Sequence, residues 1–172
     1  GSLVAADKLR FDFTHFQSIS REELDRIEYL VNQAILKDDN VSTKEMSLPE
    51  AKKAGFLAFF GEKYKEDVRT VIAGGDSKEL CGGTHLERTG QIGLFRIVSE
   101  SSISSGVRRI EAITGEIAYK GVKKEESVLN DLEAKLNTPL ENINESVEKL
   151  NLRLKDLQKK VENLKFQSFM QN

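Results

Sequence analysis

Apolar residues at Leu136, Leu140, Ile143, Val147, Leu150, Leu154, Leu157, Val161 and Leu164 return mainly by threes and fours, and this rhythm constrains the chain more than any other feature. Valine at 147 and 161 with leucine at 150, 157 and 164 forms an a/d seam, and lysine, glutamate and aspartate fill the positions around it. A helix from Pro139 to Phe166 would be about 42 Å long at 1.5 Å per residue. A stripe so narrow and long is not satisfied by a small core. It calls for a partner helix, either residues 116–136 folded back or a second chain.

The same region differs in composition from the rest. No glycine follows Gly121, and Pro139 is the one proline after Gly115. Residues 1–115 are therefore read as a globular domain and residues 116–172 as a helical coiled-coil arm. A chain of 172 residues with 38% apolar and 31% charged residues and no tryptophan fits an ordinary core joined to an extended, charge-rich element. Net charge is -2, so total charge is no evidence for a nucleic-acid partner, although a local basic face would suffice. The arm carries ten Lys and Arg against ten Asp and Glu, which is a solvated face before it is a nucleic-acid-binding stripe. One cysteine cannot close an internal disulfide, no apolar run has the length of a membrane span, and no signal-peptide pattern opens the chain. A cytoplasmic, membrane-free protein is expected. Gly1-Ser2 is compatible with a cloning scar or with native sequence.

Within the globular part, Leu3-Val4 and the alternating Leu9, Phe11 and Phe13 flank Ala5–Lys8, a hairpin pattern. Ser20-Arg21-Glu22-Glu23 is a capping box, and Leu24, Ile27, Val31, Ala34 and Ile35 follow at helical spacing. A strand is expected over 41–46. Ser47-Leu48-Pro49-Glu50 opens a short helix that should stop at Gly55. Phe56, Leu57, Phe59 and Phe60 form a cluster expected to be buried. Strands are expected at 68–73, 92–98 and 107–113, with the serine-rich 99–106 as a connecting loop. In the arm, Pro139 is expected at the first helical position, with Thr138 and Glu141 as a capping box. The fold class is α+β, a layer of helices over a sheet followed by a helical hairpin or coiled-coil arm.

Leu80-Cys81-Gly82-Gly83-Thr84-His85 holds the only cysteine and one of the two histidines. A thiolate and an imidazole four positions apart, joined by two glycines, offer half of a zinc site, since structural sites use four protein ligands and catalytic sites three plus water. The plainer alternative is a small buried cysteine beside a hydrogen-bonded loop histidine.

Gly74-Gly75-Asp76, Leu80–His85, Arg88-Thr89-Gly90-Gln91-Ile92-Gly93 and Ser105-Gly106-Val107-Arg108-Arg109-Ile110-Glu111, in this order, resemble the editing domain of alanyl-tRNA synthetase. Gly1–Val4 and Leu9–His15 add to the likeness, which covers about residues 1 to 115 closely, and the heptad arm resembles the helical region that follows that domain. Threonyl-tRNA synthetase has a related domain, but its loop carries Arg-Gly-Pro between the cysteine and histidine; Gly82-Gly83-Thr84 favours the alanyl branch. The resemblance implies hydrolysis of serine or glycine wrongly esterified to the alanine tRNA, at a zinc ion held by Cys81, His85 and an upstream H-x-x-x-H pair. It also implies a parent that binds ATP and ligates alanine to its tRNA.

No H-x-x-x-H occurs in these residues, and the other histidine is His15, for which a structural hydrogen bond is expected. A fragment is therefore expected: a half-site that binds zinc weakly or not at all, no deacylation on its own, and self-association through the arm or an uncovered sheet face. Thr84 could hydrogen-bond substrate or hold its loop. Strand alternation places Arg108 and Arg109 on opposite faces, so that one could contact tRNA phosphate while the other pairs with an acid such as Glu111 or Glu100; Arg96 is a third candidate for the tRNA acceptor end. Two further classes compete: a coiled-coil interaction module with the globular part as platform, and a free-standing aminoacyl-tRNA deacylase.

Overall fold

The computed structural model describes residues 2–58, 65–75 and 77–170. It divides into two compact units, residues 1–120 and 121–172.

In the first unit, β1 (Ser2–Val4) and β2 (Leu9–Thr14) form the expected hairpin, closed by the Ala5 amide donating to the Lys8 carbonyl at 2.9 Å. Helix α1 (Arg21–Leu36) starts where its sequence cap lies: the Glu23 amide donates to the Ser20 hydroxyl at 3.2 Å and the Ser20 amide to the Glu23 carboxylate at 2.8 Å. Just beyond its C-cap Lys37, Asp38 takes the left-handed conformation at φ 51°. Strand β3 (Val41–Ser47) leads into α2 (Leu48–Lys53), whose Glu50 carboxylate accepts from both the amide and the hydroxyl of Ser47. Strands β4 (Asp67–Ala73) and β5 (Ser77–Leu80) follow, then β6 (Phe95–Ser104) and β7 (Val107–Thr114).

The α+β class holds, but the strands form two antiparallel sheets where one was expected. One has the order β1-β2-β7-β6 and the other β3-β4-β5. Each has its own small core. Ile35 of α1, Phe95 and Ala112 are buried together, with Leu9, Val31, Ile92 and Ile97 around them. Ala51 of α2, Phe56, Val68 and Leu80 form the second cluster. Helix α1 also finishes the β6 edge: the Asn32 side chain exchanges two hydrogen bonds with the Phe95 backbone, at 2.8 and 3.0 Å, and Glu28 accepts from the Ile97 amide at 2.7 Å.

Three expectations in this unit are corrected. The region 92–98 is not one strand: Thr89–Ile92 is a 3-10 turn, Gly93 has φ 70°, and β6 begins at Phe95. The serine-rich 99–106 is mostly strand rather than loop, because β6 continues to Ser104 against β7 through two irregularities and the reversal is confined to Ser105-Gly106. Gly106 has φ 70°, which makes so tight a turn accessible. Leu57 is 68% exposed while Phe56 is buried, because the Leu57 backbone pairs along the outer edge of β5 and successive side chains there alternate in and out. Phe59 and Phe60 lie outside the described residues. Strand β5 itself, Ser-Lys-Glu-Leu, carries no apolar alternation to mark it in the sequence.

Gly115 opens α3 (Gly115–Leu136), a single helix that continues into the second unit. There Pro139 is extended, with ψ 152°, and stands before a 3-10 turn at Leu140–Asn142; α4 (Ile143–Met170) starts after it. The expected Thr138 and Glu141 cap is replaced by Glu133 of α3, whose backbone carbonyl accepts from the Thr138 amide at 3.2 Å and whose carboxylate accepts from the Leu140 amide at 3.1 Å. With the preceding chain turned by Asn137 at φ 48°, Glu133 reaches the break first. The α4 seam remains open: Leu150, Leu154, Leu157 and Val161 are each about half exposed.

Candidate functional site: the loop after β5

Cys81 follows directly on the buried end of β5. Its amide donates to the Arg69 carbonyl on β4 at 3.1 Å, which extends the β4–β5 ladder by one residue. The chain then leaves the sheet as Gly82-Gly83-Thr84-His85. Cys81 is half-buried and the next four residues are exposed, so Cys81, Thr84 and His85 share one open loop. A β-carbon on Gly83 would lie 3.5 Å from the Cys81 sulfur, an ordinary contact distance that puts the thiol against the glycine backbone.

The loop returns through the Arg88–Gly93 segment, which fastens it to the turn between α1 and β3. The Val41 amide donates to the Glu87 carbonyl at 2.8 Å. Arg88 donates to the Asp38 carboxylate at 2.7 Å, to the Asn40 side chain at 3.0 Å, and to the Asp38 carbonyl. The buried Thr89 hydroxyl accepts from the Asp39 amide at 2.9 Å and donates to the Ala34 carbonyl at 3.2 Å. Gly90 donates to the Asp38 carboxylate at 3.2 Å, and a β-carbon there would come within 2.5 Å of the same oxygen. Gly93 approaches Gly115 so closely that a β-carbon would lie 3.1 Å from its Cα. The Arg88–Gly93 motif thus anchors the loop. Asp38 and Asn40, its partners, give no sequence signal, since their role arises from contact between segments about fifty residues apart.

Arg108 and Arg109 do face opposite sides of the sheet, and each meets a carboxylate. Arg108 bonds Glu100 through Nε and Nη2, and both side chains are largely buried. Arg109 bonds Asp12 through Nε at 2.7 Å and Nη2 at 2.9 Å. These bonds hold the Glu100 and Asp12 carboxyls below their ordinary values, hydrogen bonding to the arginine being the largest cause in each case. Glu111, the other candidate acid, pairs with Lys8 at 3.1 Å. Arg96 lies on β6 opposite Ile113, partly buried. The His15 amide donates to the Gly106 carbonyl at 3.0 Å, and its ring tilts against Phe13.

Among the described residues no group of three or more His, Cys, Asp and Glu side chains is placed to hold a metal ion. Cys81 and His85 are two donors of suitable type for zinc, and two donors do not complete a zinc site.

Residues 68–111 match the family model described as the threonyl and alanyl tRNA synthetase second additional domain. The chain is also similar to alanine–tRNA ligases. It is 51% identical over 148 residues to that of Alkaliphilus metalliredigens, covering 86% of this chain and 17% of the relative. It is 50% identical over 165 residues to that of Halorhodospira halophila, covering 96% and 19%, and 54% identical over 138 residues to that of Acetivibrio thermocellus, covering 80% and 16%. The chain therefore spans less than a fifth of the length of these curated relatives.

Proposed function

We infer that this chain is a segment of an alanine–tRNA ligase and that residues 1–115 are part of its editing domain, which hydrolyses the ester joining serine or glycine to the alanine tRNA. The observation that carries this reading is the overlap of the family match with the anchored loop: residues 68–111 include Arg69, all of Cys81–His85, and the Arg88–Gly93 fastening. A site built for alanine cannot exclude the smaller glycine by binding alone, so a separate hydrolytic site is the chemical remedy. ATP-dependent ligation would belong to parts of the parent outside this span, in the cytoplasm.

In deacylation water adds to the acyl carbon, the ribose oxygen leaves with a proton, and free amino acid and tRNA result. Cys81 and His85 would contribute two ligands to a zinc ion in the parent, and the remaining ligands would come from residues not in this chain. Thr84, exposed in the same loop, is a candidate to hydrogen-bond substrate. Arg96, Arg108 and Arg109 are candidates for the acceptor end of the tRNA; a phosphate at Arg108 or Arg109 would compete with Glu100 or Asp12.

The test is deacylation of seryl- and glycyl-tRNA(Ala) by this chain and by the longer ligase, with zinc quantified in each. The chain alone should neither hydrolyse the ester nor hold zinc stoichiometrically, and the longer ligase should do both and lose hydrolysis on Cys81→Ala. Full turnover by the chain alone would overturn the incomplete-site reading, and a longer ligase indifferent to Cys81→Ala would overturn the editing role.

A second reading, an interaction module that self-associates through the arm, is favoured by the open seam of α4.

A further inference from the structure

We infer that Arg69 is the positioning residue for the Cys81–His85 loop, acting as a clamp on its backbone. It sits on β4, opposite Glu45 of β3 in register. On the β5 side one residue engages the loop three times. Its carbonyl accepts from the Cys81 amide at 3.1 Å, and its Nη1 donates to the carbonyls of Cys81 at 3.0 Å and Gly83 at 2.5 Å.

The physical need for such a clamp follows from the glycines. Among the described residues, Gly82 has no heavy atom within 4 Å of where a β-carbon would stand, and Gly83 has only the Cys81 sulfur. Neither contributes a side chain that could fix the peptide planes, and glycine has the most backbone freedom to lose. The two carbonyls bound by Arg69 flank Gly82 and so set the direction in which Cys81 leaves the sheet and the chain proceeds to Thr84. A charged donor makes shorter and stronger bonds to carbonyls than a neutral one. Among the described residues, the side-chain hydrogen bonds from Arg69 to the loop run to backbone carbonyls, so its effect on reactivity passes through Cys81 and His85.

The importance of the clamp to hydrolysis rests on the function proposed above, whereas loop order is measured without substrate, so the two can fail separately. The chain carrying Arg69→Met, which keeps an unbranched stem on β4, is compared with the unaltered chain. Backbone relaxation at Gly82 and Gly83 should move from the rigid range toward order parameters below about 0.6. Cys81 alkylation by iodoacetamide should accelerate about tenfold as the loop opens more often. The thermal midpoint should change little, and Arg69→Lys should recover part of the order. Unchanged relaxation and alkylation in folded Arg69→Met would overturn the clamp. Should that variant not fold, the unaltered chain decides: slowly exchanging Nη protons on Arg69 support the clamp, and freely exchanging ones overturn it.

Discussion

Arg109 and Asp12 form a two-point ion pair, Nε to one carboxylate oxygen at 2.7 Å and Nη2 to the other at 2.9 Å, directly across the β2–β7 register. The pair ties a strand near the start of the chain to one about a hundred residues later. Its fork geometry is specific to arginine. We expect Arg109→Met to lower the thermal midpoint by about 5 °C, with Arg109→Lys in between. A scanning-calorimetry midpoint unchanged in Arg109→Met would show that the guanidinium is not a structural tie.

The acids in these pairs also set a pH dependence. Asp12, Glu100 and Glu111 have carboxyls lowered from ordinary values of 3.8, 4.5 and 4.5 by Arg109, Arg108 and Lys8. A depressed folded-state value means that the unfolded chain binds protons first. The contribution is therefore fully present above the ordinary values and is lost as pH falls through the folded ones. Thermal midpoints measured from pH 7 downward should stay level until about pH 5 and fall steeply below it. Arg108→Met should flatten that fall; equal slopes in the two proteins would refute the linkage.

Gly90→Ala should destabilise the first unit by about 1–3 kcal/mol in urea denaturation. The new methyl would stand 2.5 Å from Asp38 Oδ1, whose carboxylate is held by Arg88 and by the Gly90 amide itself. Asp38 has little room to yield, being already in the left-handed conformation. A loss below about 0.5 kcal/mol would mean that the turn adapts freely.

The seam of α4 gives the last prediction. If the arm associates with a second copy, sedimentation over a wide concentration range should show a dimer, and replacing Leu150 and Leu157 together with Gln should return it to monomer. A monomeric mass throughout would remove the interaction-module reading.

Elements specified by local chemistry are legible in the order of residues alone. The Ser20 capping box sets the first turn of α1, the β1–β2 hairpin follows Leu9, Phe11 and Phe13, and strand alternation separates Arg108 from Arg109. Elements specified by distant partners are not. Strand β5 is polar and exists because β4 and the Leu57 backbone pair with its two edges. The serines of β6 read as loop until β7 lies beside them. At the arm, Pro139 and Thr138 have the residue types of a helix start, yet Glu133 caps the break because the preceding helix brings it there.

The loop at Cys81–His85 shows the same division. Residue types and spacing determined that Cys81 and His85 are two zinc-type donors on a flexible glycine link, and the order of motifs pointed to the editing domain of an alanine–tRNA ligase. What holds that link was decided only in three dimensions, by Arg69 across the β4–β5 ladder and by Asp38 and Asn40 beneath Arg88. The reason is physical: a donor type is a property of one side chain, whereas a hydrogen bond to a backbone carbonyl depends on which strands lie side by side, and that follows from the packing of the whole unit.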